Sequence, residues 1–158
     1  MDSSRKRFVR IIAWLLFILY MFMIVYVMFL SEELGRGIRT RHIRYNLDIG
    51  TEIKRFWNYR EKLGFRASFV NLVGNVVTFM PFGFILPMLT KKKIFKNIFT
   101  VTILAAIFSF VIEIVQLNYR IGVFDVDDII LNTAGSFIGC LLYHICNTVR
   151  VLLKKING

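Results

Sequence analysis

The chain has 158 residues, of which 56% are hydrophobic, and a formal net charge of +11. With only 10 Gly and 2 Pro it holds little linker sequence, so the composition indicates one membrane domain over residues 1–158 and argues against a soluble globular protein. Because the basic residues flank apolar stretches instead of forming a compact domain, we expect the partner to be membrane lipid and not nucleic acid.

Four stretches are long enough to cross a hydrocarbon layer of roughly 30 Å, which takes about 20 apolar residues in a helix. They run over about residues 8–30, 69–89, 98–117 and 128–153. The first has four basic residues at its start, Arg5, Lys6, Arg7 and Arg10, but is too long for the apolar region of a cleaved signal peptide. The pattern predicts an all-α, polytopic membrane protein with four transmembrane helices.

The flanking charges predict the orientation. Basic clusters precede the first span, lie between the second and third at 91–96, and follow the fourth from Arg150, which places both termini in the cytoplasm. The segment 31–68 opposes this assignment, because it holds nine basic and five acidic residues and would lie outside. Within it, apolar residues between Ile49 and Leu63 share one arc, which predicts either a short amphipathic helix at the interface or a loop helix packed on the bundle.

Polar side chains recur at helical spacing near one end of three spans. They are Asn71, Asn75 and Thr78 in the second span, Glu113, Gln116 and Arg120 at the end of the third, and Asp125, Asp128 and Asn132 at the start of the fourth. Polar groups are expensive within lipid and are therefore functional candidates. Under the predicted topology all three ends lie outside, so we expect one polar cluster in the outer leaflet.

Some of these residues also have structural explanations. Asp125 at the N-cap and Asp128 one turn later would both stabilise the start of a helix without any further role. Glu113 is harder to explain in this way, because a carboxylate inside an apolar span must be protonated, paired or hydrated. An ion pair of Arg120 with Asp125 or Asp128 would neutralise the cluster in part.

The small residues of the second and fourth spans suggest packing and bending. Gly135 and Gly139 form a GxxxG pattern, which is typical of close approach between two helices. Pro81, Gly83 and Pro87 predict a kink or the end of the second helix.

Two chemistries fit an acidic cluster rich in amides. It could bind a cationic or hydrogen-bonding group, or it could chelate Mg²⁺ or Ca²⁺ through Glu113, Asp125 and Asp128. Paired carboxylates also allow acid and base catalysis, but no recognised catalytic motif is present, so the enzyme question stays open and leans towards a non-enzyme. No cofactor is evident from the sequence, although the acidic residues would allow a divalent cation to bind.

Two motifs carry a family resemblance. The string Asn-x-x-x-Phe-x-Pro-Phe-Gly begins at Asn75, and Asp-x-x-Asp-x-x-x-Asn-x-x-Gly begins at Asp125. With the intervening Glu113 and Gln116, the chain resembles the VanZ-like family of bacterial membrane proteins over about residues 45–143. It departs from the family pattern at residues 46–50, where the expected Pro is missing.

The resemblance implies a multi-pass protein of the cell envelope that lowers susceptibility to lipophilic glycopeptides such as teicoplanin, with a glycopeptide or a cell-wall precursor as partner. The alternative is a small membrane enzyme that acts on a lipid headgroup or a lipid-linked cell-wall precursor through Glu113, Asp125 and Asp128. By motif position, the residues that match the polar positions of the family are Asn75, Glu113, Gln116, Asp125, Asp128 and Asn132.

Overall fold

A computed structural model describes residues 3–30, 45–51, 54, 65–121 and 123–156. Its helices are α1 (Ser3–Leu30), α2 (Phe65–Leu89), α3 (Ile98–Tyr119) and α4 (Val126–Ile156). All four are long and apolar enough to cross a membrane, which confirms the predicted all-α, polytopic fold. Strands β1 (Tyr45–Asn46) and β2 (Phe124–Asp125) pair in parallel, and a 3-10 turn spans Lys93–Lys96. Most of the predicted interfacial helix lies outside the described residues.

α1 packs on the bundle through one stripe. Phe17, Ile24 and Met28 are buried, and their spacing of seven and then four residues places them on one face. Most other large apolar side chains of α1 are exposed. In a helix that crosses a bilayer these side chains face lipid, which explains why the sequence of α1 is apolar on all sides.

α2 continues through both of its prolines to Leu89, so neither Pro81 nor Pro87 ends the helix. Since Pro81 has no N–H, the backbone around it needs other support. The hydroxyl of Tyr20 on α1 provides it, because it donates to the carbonyl of Thr78 at 2.6 Å and accepts from the N–H of Phe82 at 3.1 Å. These two backbone groups are i and i+4 partners in a regular helix, so α1 reinforces α2 at the turn that contains the proline.

The most extensive packing in the bundle is between α2 and α4, and three glycines allow it. A Cβ added at Gly135 would lie 2.2 Å from the carbonyl oxygen of Val76, and one at Gly139 would lie 1.9 Å from that of Met80. Gly83 has the reciprocal role, since its Cβ would lie 1.9 Å from the carbonyl oxygen of Ser136. The backbones therefore touch directly, as the GxxxG pattern predicts.

The bundle has two chemically different ends. At one end the imidazole Nε2 of His144 lies 2.8 Å from the carbonyl oxygen of Lys96, beside the exposed lysines 91–93. At the other end the start of α2, the end of α3 and the start of α4 meet, together with the last turn of α1. The polar residues of the three predicted stripes belong to this second end.

Candidate functional site

The site is built where α2 faces the first turn of α4. Asn75 is the eleventh residue of α2 and Asp128 the third residue of α4, and both are buried. The amide Nδ2 of Asn75 donates to Oδ1 of Asp128 at 2.5 Å. Asp128 therefore binds α2, in addition to any stabilisation that it gives to the start of its own helix.

Glu113 connects α3 to the segment that precedes α4. Its side chain is 1% exposed, and its Oε2 accepts a hydrogen bond from the backbone N–H of Asp125 at 2.9 Å. A hydrogen bond from a backbone N–H fixes the position of the carboxyl group that accepts it. Glu113 thus holds the strand β2 against the end of α3.

Asp125 performs the capping role that the sequence suggests, and another role as well. Its Oδ1 accepts from the N–H of Asp127, the second residue of α4, at 2.9 Å. Its Oδ2 accepts from Nδ2 of Asn46 at 3.1 Å, across the pair of strands β1 and β2. Both oxygens of Asp125 are therefore used, one for its own helix and one for the distant segment after α1.

The segment 45–51 is the part of the site that the sequence reasoning missed. Its Asn46 also accepts from the N–H of Asp48 at 3.2 Å, which closes a tight turn, and the N–H of Gly50 donates to Oδ1 of Asp127 at 2.7 Å. Gly50 has φ +83°, a conformation that favours glycine. The Asn-x-Asp-x-Gly spacing is a turn signal, and it could have indicated that the segment folds locally.

Gln116 brings α1 into the same cluster. Its Nε2 donates to the carbonyl oxygen of Met28 at 2.6 Å, and the Gln116 side chain is 2% exposed. Since Met28 lies in the last turn of α1, this contact connects the end of the first span to the end of the third. With it, all four spans contribute polar groups to the same end of the bundle.

A further polar contact lies one turn deeper than Asp128. Nδ2 of Asn132 donates to the hydroxyl of Ser109 on α3 at 2.9 Å, and both residues are buried. Ser136 follows Asn132 by four residues and is also fully buried. Ser109 and Ser136 are not among the predicted site residues. Their spacing is nevertheless visible in the sequence, because Ser109 precedes Glu113 by four residues and Ser136 follows Asn132 by four.

Arg120 is exposed and caps α3 with φ 57° and ψ 35°, so the predicted stripe through Glu113 and Gln116 ends before it. The helix stops at Tyr119, and a side chain beyond that point no longer follows the helical spacing. No ion pair of Arg120 with Asp125 or Asp128 is found among the described residues. The side chain of Asn71 lies outside the described part of the structure.

The acidic residues offer hydrogen-bond acceptors in fixed positions. Four carboxylates, those of Glu113, Asp125, Asp127 and Asp128, lie within this end of the bundle, and each accepts an N–H from an amide or the backbone. Among the described residues no three His, Cys, Asp or Glu side chains are grouped so as to hold a metal ion. Each of the four carboxylates is therefore fixed in position by a donor from another part of the chain.

Comparison with known proteins gives two matches. A sequence model of the VanZ/LLP1 family matches residues 17–147. "Protein VanZ" of Enterococcus faecium is 35% identical over 81 residues, which cover 51% of this chain and 48% of that protein. The alignment thus spans about half the length of this relative. No solved structure matches the chain.

Proposed function

The chain belongs to the VanZ/LLP1 family, and from this premise we propose that it lowers bacterial susceptibility to lipophilic glycopeptides such as teicoplanin through its buried polar cluster. The resemblance found in the sequence is confirmed by the family match and by the relative named Protein VanZ. The chain is a multi-pass membrane protein of this family. The ligand and the mechanism are the proposal.

One observation carries the proposal. Carboxylates of α3, of β2 and of α4 lie at one end of the bundle and are held in place by N–H donors from α2, from the segment 45–51 and from the backbone of β2. α1 reaches the same end through the carbonyl of Met28, which accepts from Gln116. A cap for one helix needs far less, because a single acceptor at the first turn suffices. An array of fixed acceptors instead suits a ligand that presents amines, amides or hydroxyls, as a glycopeptide does.

The proposed orientation places this array on the outer side. The cluster lies at the opposite end of the bundle from the lysines 91–93 and from Arg150 near the end of α4, and such basic flanks are usually cytoplasmic. Both termini are then cytoplasmic, and the cluster lies in the outer leaflet. An antibiotic anchored in the membrane from outside would meet the protein at this depth.

The test is survival of a susceptible bacterium that expresses the chain. We expect the minimal inhibitory concentration of teicoplanin to rise severalfold over an empty vector, and that of a glycopeptide without an acyl chain to change much less. The variant Thr133→Val should raise this concentration as much as the wild type does. The Thr133 hydroxyl donates to the carbonyl of Ile129 in its own helix and is not part of the cluster. Equal susceptibility with and without the chain, at confirmed expression, would contradict the proposal.

A further inference from the structure

A line of buried polar residues leads inward from the carboxylates along α4. Asp128, Asn132 and Ser136 are separated by four residues each, so they share one face of the helix. Their exposed fractions are 6%, 1% and 0%. Because each residue adds about 1.5 Å along a helix, Ser136 lies about 12 Å deeper than Asp128.

Two atoms of this line have no hydrogen-bond partner among the described residues. Nδ2 of Asn132 donates to Ser109, but Oδ1 of Asn132 and the hydroxyl oxygen of Ser136 are buried and unpaired. A buried polar atom without a partner is unfavourable, and within a bilayer no bulk water can satisfy it. Since the amide oxygen only accepts hydrogen bonds, the missing partner of Asn132 is a donor.

We propose that these two atoms bind an N–H or O–H donor in the headgroup of a membrane phospholipid, which enters between α3 and α4. Both atoms are buried, so the headgroup reaches them only when the two helices separate locally. Each helix exposes apolar side chains, such as Phe110 on α3 and Phe137 on α4, and in a bilayer these lie against lipid chains. The inference goes beyond the proposed function, because its ligand is a lipid and its atoms lie deeper than the carboxylates.

Phospholipids with matched chains and different headgroups test the inference. Phosphatidylethanolamine offers an ammonium donor, phosphatidylglycerol offers hydroxyl donors, and phosphatidylcholine offers neither. The full chain is purified in detergent and titrated with each lipid, and bound lipid is measured by native mass spectrometry. We expect one of the two donor lipids to bind about tenfold more tightly than phosphatidylcholine. The preferred headgroup then shows whether the hydrogen-bond donor is an ammonium group or a hydroxyl group.

The variant that tests the atoms is Ser136→Ala, which removes one acceptor without adding volume. We expect it to weaken binding of the preferred lipid about three- to tenfold, as the loss of one hydrogen bond would, and to leave phosphatidylcholine unchanged. Thr133→Val, one residue from Asn132 but hydrogen-bonded within its own helix, should leave all three lipids unchanged. Thermal stability is measured in parallel to show that each variant is folded.

Two results would overturn the inference. One is equal affinity of the wild type for all three lipids. The other is a folded Ser136→Ala variant that binds the preferred lipid as tightly as the wild type does, as expected if the hydroxyl is only an unsatisfied group. Neither readout uses an antibiotic, so failure of the resistance proposal and failure of this inference are told apart.

Discussion

Replacing Gly139 by Ala should disrupt the contact between α2 and α4. The new Cβ would lie 1.9 Å from the carbonyl oxygen of Met80 and 3.1 Å from the backbone nitrogen of Phe84. A carbon and a carbonyl oxygen rarely approach closer than about 3.3 Å, so the helices must move apart by roughly 1.4 Å. Neighbouring contacts lose much of their dispersion energy over such a gap. Since alanine favours a helix by about 0.5–1 kcal/mol over glycine, we expect a net loss of about 2–3 kcal/mol.

The matched control is Gly74→Ala in α2. Among the described residues, no atom beyond the adjacent residues and the helix's own backbone lies within 4 Å of a Cβ added there, so the same chemical change should be neutral or slightly stabilising. Thermal unfolding in detergent measures both variants, and a loss of this size corresponds to roughly 5–10 °C for a chain of this length. If Gly139→Ala were as stable as Gly74→Ala, the close backbone contact would be wrong.

Two further variants test the support of α2 and the orientation. Tyr20→Phe removes both hydrogen bonds of the hydroxyl beside Pro81 and should cost about 1–3 kcal/mol of stability. The control is Tyr26→Phe on the exposed side of α1, which should cost nothing measurable. Equal midpoints of thermal unfolding for the two variants would refute the role of the Tyr20 hydroxyl. Asp48→Cys in a Cys146→Ser background should react with an impermeant thiol reagent added outside intact cells, and labelling only after the inner face is exposed would reverse the topology.

The spans and the shared end of the bundle could be predicted from the sequence because hydropathy and helical spacing are local properties. The structure places Asn75 beside Asp128, and Glu113 beside the backbone of Asp125, at the end where the stripes predicted a cluster. The prediction failed at Arg120, since the stripe was extended past the point where the helix ends. Helix boundaries depend on capping geometry, which spacing alone does not reveal.

Contacts between distant segments were not predictable in this way. Asn46 reaches Asp125 and Gly50 reaches Asp127 across 79 and 77 residues of sequence, and only the paired strands bring them together. Gly83 was assigned to the bend of α2, whereas its main contact is with the backbone of Ser136 on α4. In both cases the contact arises from the packing of two elements against each other, and the sequence of either element alone does not reveal that packing.

If the carboxyl groups of the cluster serve a ligand and not only the fold, their loss should affect survival more than stability. We compare teicoplanin survival with thermal stability for Glu113→Gln, in which an amide oxygen can still accept from the N–H of Asp125 while the carboxyl group is lost. Asp125→Asn and Asp128→Asn are measured beside it. We expect survival to fall to the level of the empty vector while the Glu113→Gln protein still inserts and stays within about 1 kcal/mol of the wild-type stability. Full survival in all three amide variants, or a loss of survival that follows a matching loss of stability, would contradict it.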